Sequence, residues 1–105
     1  MEKPNLIYVD KLARGDESIR NMLIDVIKTE FPVEKEDYYN SLKNNDYKKI
    51  EENVHRLKHK ISILGLEKSY EIANEFEHNL RELNLNKVED FEKILIVIST
   101  YLKTI

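Results

Sequence analysis

The chain contains no cysteine and no tryptophan, and only two of its 105 residues are glycine and two are proline. Without cysteine it has no disulfide framework, no thiolate metal site and no thiol nucleophile. Few glycines and prolines argue against a β-sandwich or barrel, because those folds need many tight turns. These absences favour a helical protein in a reducing compartment, and we therefore expect a cytoplasmic location.

Long hydrophobic runs are also missing. The most apolar late segment, ILIVISTYL, is far shorter than the roughly 20 residues that a membrane span requires. The N-terminal stretch MEKPNLIYVDKL lacks the apolar run of a signal peptide. A formal net charge of -3 does not favour DNA or anionic lipid as a partner. We expect no membrane or nucleic-acid partner, and we expect residues 1–105 to be one complete domain.

What the chain does have is apolar residues at helical spacing, together with a 35% content of charged residues. A long helix is predicted to begin after Asp16, an N-cap residue, and to be kinked or interrupted at Pro32 before resuming through Tyr38 and Leu42. Its first part should bury Ile19, Met22, Leu23, Val26, Ile27 and Phe31.

Three further long helices follow the break at residues 44–46, where Asp46 is a second candidate N-cap. The first has a bundle seam, and Gly65 should end it in the left-handed conformation. The third spans residues 88–105. The second should have one face toward the core, formed by Leu66, Ser69, Tyr70, Ala73, Phe76, Leu80 and Leu83. A short helix near residues 6–12 completes an all-α fold, predicted to be an antiparallel four-helix bundle with an N-terminal capping helix. The bundle seam of the helix that ends at Gly65 is formed by Ile50, Val54, Leu57, Ile61 and Leu64.

The segment VHRLKHKISILGLE is basic in an otherwise acidic chain. At 100° per residue, His55 lies about 140° from Ile50 and therefore outside the seam. Lys58 and Ser62 follow it on an exposed polar stripe that also includes Glu51. Gly65 is expected to leave open space at the end of this stripe.

Several interpretations of His55 and His59 are open at this point. They can be incidental residues of a solvated helix face. Two histidines four apart can bind zinc, but two more ligands are needed, Arg56 replaces the glutamate of an HExxH motif, and nearby lysines repel a dication. The basic cluster is too narrow for nucleic acid. We expect no metal site here.

Nucleophilic use of His55 is the remaining interpretation. A neutral imidazole can attack phosphorus, and Lys58, one turn away, can neutralise the developing negative charge. A carboxylate is needed to hold the other ring nitrogen as N–H. Glu77 is the candidate, since it lies about as far after Gly65 as His55 lies before it.

These residues, His55, Leu57, Lys58, Gly65 and Glu77, resemble the core of the histidine-containing phosphotransfer (HPt) domain family. That family has roughly His-x-Leu-Lys-Gly, a glycine about ten residues after the histidine, and a later helix whose polar residue pairs with the imidazole. The resemblance covers approximately residues 6–83.

The resemblance implies a phosphorelay intermediate. It would accept a phosphoryl group on His55 from the aspartyl phosphate of a response-regulator receiver domain and pass it to another receiver, with a hybrid sensor kinase upstream. Magnesium is expected on the receiver, and this chain needs no cofactor. We expect a monomer without a kinase domain, docking through Glu51, Arg56, His59, Lys60, Ser62, Ile63 and Gly65.

One departure from the family pattern is His59, which occupies the position of the usual glycine. It can narrow the approach of a receiver, donate to the phosphoryl group or be the modified residue itself. We favour His55, because Lys58 and Gly65 are in register only from there. Two other functions stay open, a bundle that docks a partner without being phosphorylated and, less favoured, a metal-binding bundle. Ile63 is either an apolar partner contact or a core residue.

Overall fold

The computed structural model describes residues 2–105, and these residues form helices and no strand. The five helices are α1 (Ile7–Ala13), α2 (Glu17–Lys43), α3 (Tyr47–Ile63), α4 (Glu67–Arg81) and α5 (Val88–Leu102). At 1.5 Å per residue, the 27 residues of α2 measure about 40 Å. This helix therefore accounts for most of the molecule's longest dimension, 44 Å.

The predicted starts of α2 and α3 are confirmed by their caps. The side chain of Asp16 accepts a hydrogen bond from the backbone N–H of Ile19 at 3.1 Å, and Asp46 accepts one from Lys49 at 3.2 Å. Each carboxylate satisfies one of the free N–H groups of a first helical turn. The short N-terminal helix is present one residue later than predicted.

A kink or an interruption was predicted at Pro32, and the interruption is wrong, because α2 continues through this residue. Proline removes one backbone hydrogen bond from a helix, and Pro32 lies on the exposed side of α2. A carbonyl freed on an exposed face can be hydrated, and helical residues before and after Pro32 are held by core contacts of Phe31 and Tyr38. Tertiary packing thus outweighs the local preference.

The core lies between the long helices, with α2 packed against α1, α3 and α5, and α4 packed against α3 and α5. Its largest buried side chains are aromatic. The ring centroids of Tyr38 and Phe91 are 5.1 Å apart, and those of Phe76 and Phe91 are 5.3 Å apart. Edge-to-face contacts of this kind add to the burial of apolar surface, which dominates the stability of a small domain.

Some predicted core positions are wrong. Ile19, Met22 and Val26 are 38%, 56% and 43% exposed, whereas Ile27 and Phe31 are buried. Leu83 is 67% exposed because the chain leaves α4 at Arg81 and Leu83 adopts a positive φ of 58°. Within residues 2–105 there is no helix with the length and apolar character needed to cross a membrane.

Candidate functional site

The site is built where α3 and α4 pack together on either side of the turn at Gly65. Gly65 has φ +75°, the left-handed conformation that was predicted to end α3. Polar contacts between the two helices are Lys58–Asn74, His55–Glu77 and Glu51–Arg81, going away from the turn. Because sequence separation grows steadily along this series, the two helices run in opposite directions.

His55 is at the edge of this helix pair, with 53% of its side chain exposed. Its Nδ1 atom lies 2.8 Å from Oε1 of Glu77. No contact among residues 2–105 engages its other ring nitrogen, Nε2. The hydrogen bond predicted from the sequence between these two side chains is therefore present, and the ring is open to solvent.

Glu77 is a buried carboxylate, with the residue only 7% exposed. Its second oxygen, Oε2, accepts a hydrogen bond from the ammonium group of Lys58 at 2.8 Å. Burial raises the pKa of Glu77, but hydrogen bonds and charge interactions with Lys58 and His55 outweigh burial, and the pKa is lowered. The carboxylate is thus held in its ionised form.

The ammonium group of Lys58 is engaged by three neighbouring side chains. Its side chain is 11% exposed, and besides Glu77 its ammonium donates to Oδ1 of Asn74 at 2.8 Å. The ammonium also lies 5.3 Å from the ring centroid of Tyr70, close enough for a cation–π interaction. Lys58 therefore contacts the carboxylate that holds Nδ1, and its charge is directed at Glu77.

The other two cations of the segment turn toward α2. Arg56 donates to Oδ2 of Asp37 at 3.2 Å and has 46% of its side chain exposed. Lys60 lies 2.9 Å from Glu30 and 3.3 Å from Glu34, and its side chain is only 12% exposed. Lys60 was expected to face a partner, but its ammonium group is bound by these carboxylates.

The remaining predicted residues are spread along the outer side of α3 and its C-terminal end. His59 and Ser62 are exposed, whereas Ile63 is partly buried and packs against the core. Glu51 accepts a hydrogen bond from Arg81 at 2.8 Å. The ring of His59 stands nearly perpendicular to that of His55, at 88°, with 5.1 Å between centroids.

The open space predicted beside Gly65 is not there. A Cβ atom at this position would lie 2.6 Å from Nδ2 of Asn5, and the backbone N–H of Asn5 donates to the carbonyl of Leu64 at 2.9 Å. The N-terminal segment thus packs against the turn and fills the space that was expected to be open, whereas Gly65 as a partner contact stays a prediction. Sequence spacing on α3 alone could not reveal a segment that arrives from 60 residues away.

Three side chains of the site were not predicted from the sequence: Asn74, Tyr70 and Glu34. Asn74 lies three residues before Glu77, and hence on the same helix face, so helical spacing was a usable signal for it. Tyr70 was assigned to the core side of α4. Glu34 is a buried carboxylate on α2, 7% exposed, and only the packing of α2 on α3 shows that it pairs with Lys60.

Within the described part of the chain, no three histidine, cysteine, aspartate or glutamate side chains are grouped as metal ligands would be. The ring of His55 contacts Glu77 and stands edge-on to the ring of His59. The arrangement presents an oriented imidazole whose second nitrogen can act as a nucleophile or accept a hydrogen bond.

Comparisons of the chain with family models, with curated proteins and with solved structures find no match.

Proposed function

We propose that the protein is a phosphorelay intermediate that carries a phosphoryl group on Nε2 of His55. The observation that supports this most directly is the 2.8 Å contact between Nδ1 of His55 and the buried carboxylate of Glu77, on a ring that is 53% exposed. An imidazole held at one nitrogen and open at the other is what an acceptor histidine requires.

The hydrogen bond to Glu77 selects the tautomer of the ring. An ionised carboxylate can only accept, so Nδ1 must carry the proton and Nε2 must keep its lone pair. Lys58 contributes by keeping Glu77 ionised, since its ammonium lies 2.8 Å from the second carboxylate oxygen. A neutral amide at position 77 would not have this electrostatic effect.

In the proposed step, the lone pair of Nε2 attacks the phosphorus of an aspartyl phosphate on a receiver domain. The new N–P bond forms as the P–O bond to the aspartate breaks, and the aspartate leaves as a carboxylate. His55 keeps its Nδ1 proton and becomes a cationic, phosphorylated imidazolium, which the negative charge of Glu77 stabilises. The same step in reverse transfers the phosphoryl group from His55 to the aspartate of a second receiver.

The partner would dock on the outer face of α3. The groups available there are the exposed Arg56, His59 and Ser62, with the partly buried Glu51 and Ile63 at the margins. A receiver domain is proposed because its phosphorylated aspartate lies in an acidic pocket that Arg56 can approach. A hybrid sensor kinase as upstream donor and a cytoplasmic location follow from the same proposal.

The proposal extends to the arrangement of the helices. We infer that α2 to α5 form an antiparallel four-helix bundle and that α1 caps one end. Contacts between α2 and α3 support an opposite direction for that pair, because Ser41 lies near Asn53 at one end and Glu30 near Lys60 at the other. Such a bundle places an α3–α4 edge, with His55 at mid-length, in reach of a partner.

A phosphotransfer assay tests the proposal. Receiver domains charged with acetyl phosphate and Mg²⁺ are incubated with the protein, and acid-labile phosphate on the chain is measured by intact mass. We expect label on wild type and on His78→Gln, a matched control at an exposed histidine of α4, and no label on His55→Gln.

The variants separate the alternatives. Label that persists in His55→Gln and disappears in His59→Gln would move the carrier to the neighbouring residue. Docking of a receiver without any label, on wild type as on variants, would replace the carrier function by that of a non-phosphorylated binding module.

A further inference from the structure

The cations around His55 are all engaged by carboxylates of the protein itself. Lys58 is bound by Glu77 and Asn74 on the Nδ1 side of the ring, away from the nitrogen that would carry phosphate. Arg56 and Lys60 turn toward acidic residues of α2. The proposed phosphoryl group would therefore bring two negative charges to a place where no lysine or arginine ammonium or guanidinium is unpaired.

His59 is the remaining group next to His55 that can carry a positive charge. Its ring is exposed, lies 5.1 Å from the ring of His55 between centroids, and makes no ion pair within residues 2–105. Side chains of a helix lean toward its N-terminus, so a residue covers the surface over the preceding turn. His59 consequently covers the surface immediately beside His55.

We propose that His59, as an imidazolium, donates a hydrogen bond to the phosphoryl group on His55 and is the cation that stabilises it. This contact rests on the proposed function, because it exists only when His55 is phosphorylated. No covalent bond changes in this step, and the only exchange is the uptake of one proton from water by the His59 ring. The family that the chain resembles usually has glycine at this position, so the contact would be particular to this chain.

The contact makes the phosphorylated state dependent on pH near neutrality, where an imidazole gains or loses its proton. Binding of the proton to His59 and retention of both negative charges by the phosphoryl group favour each other, and this coupling is reciprocal. The other charged groups on this part of α3 and on the helices packed against it are largely paired among themselves. They are Glu51, His55, Arg56, Lys58 and Lys60 on α3, Glu30, Glu34 and Asp37 on α2, and Glu77 and Arg81 on α4.

The test uses the full chain phosphorylated with potassium phosphoramidate, so that no receiver domain is needed. Histidine ring signals are followed by NMR between pH 5 and pH 9, before and after phosphorylation. We expect the His59 ring to hold its proton to a pH higher by roughly half a unit after phosphorylation, because the dianion about 5 Å away in a water-like dielectric is partly offset by the positive charge on the phosphorylated His55 ring. His78, an exposed histidine of α4 whose nearest charged partner is Glu82, should not change.

A variant provides the reciprocal measurement. In His59→Gln, which keeps a neutral donor but has no charge, the ³¹P signal of phosphorylated His55 should show the dianionic phosphoryl group taking up a proton at a higher pH than in wild type. His59→Lys should restore the wild-type behaviour, and His78→Gln should match wild type throughout. Circular dichroism shows that each variant is folded.

The outcomes are distinguishable. If His55 is phosphorylated but His59 responds no more than His78, or His59→Gln titrates like wild type, the contact is wrong and the carrier function stands. If phosphate reaches His59 or His78 but never His55, then His55 is not the phosphoryl carrier. The proposed contact of His59 with a phosphoryl group on His55 is then wrong as well.

Discussion

At the scale of single residues, the decisive feature is one carboxylate shared by two partners. Glu77 accepts from His55 with one oxygen and from Lys58 with the other, both at 2.8 Å. This division couples the orientation of the imidazole to an ion pair that is almost completely shielded from solvent. Lys58 was expected to meet the phosphoryl group directly, and its position instead suggests that it acts through Glu77.

The role of Glu77 can be separated from its structural contribution. In Glu77→Ala, we expect His55 to be phosphorylated by phosphoramidate about 10- to 100-fold more slowly, by analogy with the loss seen when the group that orients a metal-ligating histidine is removed. Quenched time points analysed by intact mass give the rate. Glu71→Ala, which removes an exposed carboxylate from the same helix, is the control and should react at the wild-type rate. An unchanged rate in folded Glu77→Ala would show that the carboxylate does not orient the ring.

The lowered pKa of Glu77 predicts a pH dependence of stability. A carboxyl whose pKa is lower in the folded than in the unfolded state stabilises the fold fully above its ordinary pKa, about 4.5, and this stabilisation is lost as the pH falls through the lower folded value. Urea unfolding at pH 6 and pH 3 should therefore show a smaller loss of stability in Glu77→Gln than in wild type. Equal losses in the two proteins would mean that Glu77 gains nothing from Lys58 and His55.

At the scale of elements, the turn between α3 and α4 sets the register of the site, and the N-terminal segment holds that turn. Asn5 fills the space beside Gly65, and its N–H donates to Leu64. Glu2 accepts a hydrogen bond from the backbone N–H of Ser69 at 2.7 Å. Since Leu66 has no side chain able to cap α4, this distant carboxylate takes the place of a local cap.

The two glycines offer a matched pair that isolates the contribution of Asn5. Both have positive φ, +81° for Gly15 and +75° for Gly65, but a Cβ at Gly15 would meet nothing within 4 Å. Gly15→Ala should cost about 1–2 kcal/mol from backbone strain alone. Gly65→Ala should cost more, and Asn5→Gly in the same chain should recover the excess. Urea unfolding measures all three, and equal costs at the two glycines would contradict a tight contact with Asn5.

At the scale of the whole molecule, the aromatic core joins helices that are far apart in sequence. Tyr38 of α2 contacts Phe76 of α4 and Phe91 of α5, with ring centroids 6.3 Å and 5.1 Å apart. The residue is fully buried, and its hydroxyl has no hydrogen-bond partner among residues 2–105. Burial raises the pKa of this phenol strongly, with a further contribution from Glu92, so the group stays neutral.

A buried hydroxyl without a partner is destabilising, because it gives up its hydrogen bonds to water. Tyr38→Phe keeps the ring contacts and removes the hydroxyl, and we expect it to raise the free energy of unfolding by about 1 kcal/mol. Tyr101→Phe, at a partly buried tyrosine of α5, should change stability by less. A loss of stability in Tyr38→Phe, measured by urea unfolding, would show that the hydroxyl is in fact satisfied.

The helices, two of their caps and the left-handed turn at Gly65 could be predicted from the sequence, because these depend on residues close together in the chain. The positions of His55 outside the core and opposite Glu77 could be predicted as well, since two helices joined by a tight turn must pair residues at similar distances from it. The uninterrupted course of α2 at Pro32, the contact of Asn5 with Gly65, and the ion pairs of Lys58 and Lys60 became visible only in the three-dimensional structure. Each of these features depends on side chains from segments that are distant in the sequence. Packing in three dimensions determines which of them come into contact, and local sequence patterns do not contain this information.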